Sequence, residues 1–167
     1  LDTETTGMDP MKGDRVIEIG CVETANFVST GRTFHVYIDP ERDVPAEAVA
    51  VHGITGEFLK GKPKFMEIAD QLIEFIGDST IIAHNASFDM KFINAELVKC
   101  GYRAYDMSRA VDTVAIAKRQ APGAPASLDA LCRRFGIDNS NRTLHGALLD
   151  AELLAEVYLE LRGGRQP

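Results

Sequence analysis

The sequence has no apolar run of about 18 residues and no charged-then-apolar leader, so nothing in it spans a membrane or directs export. A cytosolic protein is the default expectation. Cysteine is scarce: Cys21, Cys100 and Cys132 are odd in number, far apart and contain no Cys-x-x-Cys pair, which argues against a disulfide framework and against a zinc site. Basic charge is thin as well, with Arg133-Arg134 the nearest thing to a run and a net charge of -7. Tight duplex binders usually carry a basic face, so this balance first argues against nucleic acid. A carboxylate cluster built to hold divalent cations is itself acidic, however, and presents positive charge to a phosphate once loaded.

What is present is ordinary globular material. The 167 residues, 45% hydrophobic and 26% charged, suit one domain with one sizeable core. Ile17, Ile19 and Cys21 share a parity, and Phe34, Val36 and Ile38 alternate with polar neighbours. With Leu1 to Thr5 these segments predict a three-strand antiparallel meander, joined by connections containing Gly7, Gly13 and Gly31. Helical spacing follows in Phe65, Ile68, Ala69, Leu72, Ile73 and Ile76, stopped by Gly77, and Ile81 to Ala83 reads as a buried strand reached by crossover. Ser87 is positioned to cap a helix from Phe88 to about Lys99. A short apolar piece around Val111, a helix to about Arg119 closed by Pro122 and Pro125, and helices over Ser127 to Phe135 and Gly146 to Leu161 complete the order. Gly163-Gly164 suits a C-cap. Phe58, Phe65, Phe75 and Phe92 fall at apolar positions and read as core. The fold class is α/β: a mixed sheet flanked by helices, with residues 1–162 as the domain and 163–167 as the start of a linker.

Three places carry chemistry. On a strand, Asp2 and Glu4 point to one face, so both carboxylates can approach one cation, and hard oxygen donors suit Mg²⁺ or Mn²⁺. Such a pair alone also reads as two solvated acids. Thr5-Thr6-Gly7 then leaves small side chains and backbone amides beside it. Asp89 falls in the first turn of the helix after a buried strand, where sites tend to form, although an acid there also simply complements the helix dipole. His145 and Asp150 are about 140° out of phase on one continuous helix. If the helix starts at Gly146, His145 belongs to the preceding loop and can act as a general base, while Asp150 projects into the site; a surface histidine is the alternative. His84 and Asn85 read as supporting groups, His52 as packed and Glu47 as solvated.

Taken together, Asp2-Thr3-Glu4-Thr5-Thr6-Gly7, His84-Asn85-Ala86-Ser87-Phe88-Asp89 and His145-Gly146-Ala147-Leu148-Leu149-Asp150 resemble, in order and type, the three motifs of the DEDDh 3′-5′ exonucleases. Phe34 to Tyr37, Val51 to Ile54 and Ser127 to Tyr158 look in particular like the proofreading epsilon subunits of bacterial DNA polymerase III. Several spaced motifs are far more specific than any one of them. The resemblance implies a ribonuclease H-like fold and release of nucleoside 5′-monophosphates from a single-stranded or frayed DNA 3′ end. It implies Asp2, Glu4, Asp89 and Asp150 as ligands of two divalent cations, His145 as general base, and contact of Asp2, Glu4, Glu47, His52 and Asp150 with the terminal nucleotide. It further implies residence in the bacterial cytosol with the replisome, and a C-terminal tail, beyond Pro167, that holds the polymerase catalytic subunit. The alternatives are an RNA-trimming exonuclease of the same group and a non-catalytic structural polymerase subunit. The first strand is short for a strand, which leads us to expect further residues upstream and to expect Asp2 and Glu4 to be the least securely held of the set.

Overall fold

The computed structural model describes residues 1–163. Strand β1 (Asp2–Thr5) pairs antiparallel with β2 (Val16–Ala25), which pairs antiparallel with β3 (Val28–Tyr37), giving the expected meander. The chain then forms α1 (Ala46–His52), α2 (Gly56–Leu59) and α3 (Phe65–Ile76), and returns through β4 (Ile81–Ala83) to α4 (Ala86–Lys99). Strand β5 (Ala110–Asp112), parallel to β4, leads into α5 (Thr113–Gln120), α6 (Leu128–Phe135) and α7 (Ala147–Leu161). The two ladders, β1-β2-β3 and β4-β5, meet where the Leu1 nitrogen donates to the Ile82 carbonyl at 2.8 Å. The mixed α/β sheet is as the sequence suggested.

β2 is the spine of this sheet. Residues Val16 to Cys21 are all buried, because both faces of the strand are covered. Ile19 and Cys21 join Phe65, Leu72, Met90, Phe92 and Leu97 in the main core against α3 and α4. A second core of Ile116, Leu131, Leu154, Val157 and Leu161 binds α5, α6 and α7 together. Burial of these side chains, each worth about 1.5–3 kcal/mol, fixes the positions of α4 and α7 relative to the strands.

Some local expectations fail for identifiable reasons. The β2–β3 connection is a two-residue turn at Asn26-Phe27, both with positive φ, and Gly31 lies inside β3 rather than in the turn. Asparagine tolerates that left-handed region, which matches the twist of a hairpin. Helix α4 begins at Ala86, and Ser87 lies within it instead of capping it. Asn85 takes the left-handed conformation (φ 64°) and its N–H donates to Asp112 Oδ1 at 2.9 Å, which turns the chain earlier than the serine would. Phe65 and Phe92 are buried as expected, but Phe58 is 47% exposed, stacked edge-on against Tyr37 at 4.9 Å beneath Lys62. α5 stops at Gln120, where Ala121 leaves the helical region (φ -140°, ψ 76°) ahead of Pro122. α7 ends at Leu161 with Gly163 at φ 107°; Gly164 and the rest of the expected linker lie outside the described residues.

Candidate active site

β1 is paired with β2 over all four of its residues, so its backbone is not displaced. Asp2 lies opposite Gly20 and Glu4 opposite Glu18 in the ladder with β2. Thr3, between the two acids, donates both its N–H (3.1 Å) and its hydroxyl (2.5 Å) to Asp89 Oδ1. That pair of bonds fastens the first turn of α4 to the strand. From the other side comes α7, whose first residues lie directly on Gly20: a Cβ there would stand 2.5 Å from the Ala147 carbonyl carbon and the Leu148 nitrogen. Only glycine permits the approach. It brings Asp150, in the first turn of α7 and 5% exposed, to the acids of β1.

The start of α7 lacks a side-chain cap of its own, since Gly146 occupies the N-cap. Glu18 supplies the missing acceptor from β2: its Oε1 takes the Ala147 N–H at 3.0 Å while Oε2 meets His35 Nε2 at 2.6 Å. His145 precedes the helix on an exposed loop, as expected, and its N–H donates to the Val51 carbonyl at 3.1 Å. That bond ties the loop to the end of α1. Glu4, His145 and Asp150 each bring one ligand atom within 4.8 Å of the others. Asp2 and Asp89 stand outside that trio, yet both are close enough to influence the charge on Glu4 or on each other.

The electrostatics follow from crowding. Burial, then the neighbouring Asp89, Glu4 and Asp150, raise the Asp2 carboxyl well above the usual carboxylate range. Glu4 is pushed up to about 9, first by burial and then by Asp150, Glu18 and Asp89, with Arg142 opposing. Asp89 is pushed up to about 6 by burial, moderated by its bonds from Thr3. Among the described residues, Asp2 Oδ2 is enclosed without a hydrogen-bond partner. Carboxylates packed this tightly repel one another unless positive charge sits among them, and an orphaned buried oxygen with hard-donor neighbours fits a divalent cation.

His52 is buried against the end of β1. Its Nδ1 accepts the Ile54 N–H at 3.0 Å, so Nε2 carries the proton and donates to the Thr5 carbonyl at 3.2 Å. Burial lowers its pKa and favours this neutral form. Glu47 is exposed in the first turn of α1. His84 is a structural group: Nε2 donates to the Ala126 carbonyl at 2.7 Å and Nδ1 lies 2.8 Å from Thr113 Oγ1.

Sequence reasoning missed Thr3, Glu18, Gly20 and Arg142. A lone acid inside the apolar run Val16 to Val22 was a signal for Glu18. Arg142 had none, because its partners Asp129 and Asp150 are brought to it only by the packing of α6 and α7.

Residues 1–158 match the exonuclease family RNase_T. The chain belongs to that family. It is 57% identical over 169 residues to DNA polymerase III subunit epsilon of Rickettsia felis, covering 99% of this chain and 74% of that protein. With the same subunit of Escherichia coli K12 it shares 49% identity over 172 residues, 71% of that protein's length. Among solved structures, the nuclease domain of 3′hExo, a DEDDh family member bound to rAMP, superposes with a TM-score of 0.80 at 18% identity, covering 97% of this chain and 90% of that one. Exonuclease X in complex with 5′-overhanging duplex DNA gives 0.72 at 24% identity, covering 96% and 87%. These structural likenesses establish the fold, and the RNase_T exonuclease assignment bears out the nuclease expectation. Among the described residues, no helix is long and apolar enough to cross a membrane.

Proposed function

We propose that this RNase_T domain removes nucleotides one at a time from the 3′ end of DNA, releasing nucleoside 5′-monophosphates, as the proofreading subunit of a bacterial DNA polymerase III. The observation that carries the reading is the convergence of Asp2, Glu4, Asp89 and Asp150, from β1, α4 and α7, beside the loop histidine His145. Asp2, Glu4, Asp89 and Asp150 would hold two divalent cations, Mg²⁺ or Mn²⁺. When bound, these ions lower the pKa of the attacking water and neutralise the charge that develops on the phosphate and the leaving 3′ oxygen.

The chain's own residues do the rest. His145, exposed and tethered through its backbone to Val51, accepts the proton of the attacking water at an imidazole nitrogen. Asp89 is kept from swinging by Thr3, and Asp150 by the seat of α7 on Gly20, so the acids are preorganised before substrate arrives. His52, against the end of β1, and Glu47, exposed in the first turn of α1, contact the terminal nucleotide. A mispaired end is preferred because separating unpaired nucleotides costs less than melting paired ones. Residues 163–167 begin a linker toward a C-terminal segment that holds the polymerase catalytic subunit, and the assembly works in the bacterial cytosol.

End-labelled single-stranded DNA with Mg²⁺ or Mn²⁺, with chelator, and with His145→Ala tests the chemistry: stepwise shortening from the 3′ end is expected only for the unaltered chain with metal. Matched DNA and RNA oligonucleotides test the substrate, and faster turnover of RNA would refute the polymerase assignment.

A further inference from the structure

Arg142 lies on the loop between α6 and α7, three residues before His145, with its side chain only 9% exposed. Nε donates to Asp150 Oδ1 at 2.6 Å and Nη2 donates to Oδ2 at 3.0 Å, a two-pronged grip that fixes the plane of the carboxylate. The remaining nitrogen, Nη1, lies 2.9 Å from Asp129 Oδ2 on α6. Asp129 is itself held by Asn139 Nδ2 at 2.8 Å, and the Arg142 N–H closes on the Asn139 carbonyl at 2.9 Å. One guanidinium thus joins α6, α7 and the loop that carries His145.

We propose that Arg142 is a positioning residue with two opposed effects on the nuclease reaction: it holds Asp150 and the His145 loop in working geometry, and its charge weakens cation binding at the same carboxylate. The inference rests on the reading that Asp150 holds a divalent cation. Each carboxylate oxygen has lone pairs enough to accept from Arg142 and still ligate an ion, so the two can share Asp150. A fixed positive charge one carboxylate away repels the ion, while the rigid fork of arginine sets the direction of the remaining lone pairs. A residue that merely supported the fold would give a different pattern, because its loss would loosen the acids and weaken both metal binding and turnover.

Mn²⁺ titration followed by electron paramagnetic resonance, with kcat and KM for a single-stranded DNA 3′ end measured alongside, separates these cases. For Arg142→Gln we expect Mn²⁺ to bind roughly tenfold tighter, while kcat falls roughly tenfold or more and KM stays near that of the unaltered chain. Arg142→Lys keeps the charge and loses the fork, so it should bind Mn²⁺ like the unaltered chain and still lose turnover. Weaker or unchanged Mn²⁺ binding in Arg142→Gln overturns the inference, as does undiminished kcat in Arg142→Lys, which also decides the matter should the glutamine variant fail to fold. If the unaltered chain binds Mn²⁺ and only these variant effects are missing, the inference alone fails. No Mn²⁺ binding by the unaltered chain overturns the cation reading along with it.

Discussion

Glu4 and Glu18 face each other across the β1–β2 ladder, both buried, one at the cluster of acids and the other turned to the start of α7. Two carboxylates in register are a destabilising pair in an ordinary sheet. Here the pairing is maintained because each acid has a different task and Glu18 has two partners of its own, Ala147 and His35.

The crowding predicts an unusual dependence of stability on pH. In the folded chain Glu4 holds its proton to about 9 and Asp89 to about 6, against 4.5 and 3.8 for the ordinary groups. Between those limits these two groups hold more protons in the folded state than in the unfolded one, so their contribution to stability is fullest below about pH 4 and is lost as pH rises, through about 6 for Asp89 and on to about 9 for Glu4. Thermal melts in chelator should show this decline, less steeply in Glu4→Gln, and added Mg²⁺ should offset it. A Glu4→Gln slope equal to that of the unaltered chain would contradict the assignment.

Gly20→Ala tests the seat of α7. The new methyl group has backbone for its nearest neighbours, which cannot rotate away, so the helix start must shift. We expect a loss of about 1–3 kcal/mol in urea unfolding and a fall in kcat of roughly tenfold or more as Asp150 moves.

Glu18→Ala removes the acceptor for the Ala147 N–H and the partner of His35 without touching an acid of the cluster. Destabilisation of about 1–3 kcal/mol is expected from the groups left unpaired. Glu18→Gln keeps an oxygen for Ala147 and should recover part of that loss.

His145→Ala should behave in the opposite way. The side chain is exposed and its structural tie runs through the backbone, so stability should stay within about 0.5 kcal/mol. Turnover should fall about 10²- to 10⁴-fold. A large drop in melting temperature would show that the histidine supports the loop instead.

Much of this was legible in the sequence because strand alternation and helix starts are local. Parity alone put Asp2 and Glu4 on one face, and the position of Gly146 alone separated His145 from the helix that carries Asp150. The meander and the α3 core face followed from periods of two and 3.6. The supports of the site were hidden because they are relations between distant segments: Glu18 caps a helix that begins at Ala147, and Gly20 matters only when that helix arrives. Phe58 was misjudged for a related reason. An aromatic at an apolar position is buried only if something covers it, and α2 is too short to be covered on that side.

The bonds from Thr3 to Asp89 and the contact of Gly20 with α7 join β1 and β2 to α4 and to α7, elements far downstream. Synthesis delivers these parts in that order. A growing chain that has made β1, β2 and α4 therefore carries Asp2, Glu4 and Asp89 but lacks Asp150 and His145, so the proposed cation site is incomplete until α7 has been made and docks.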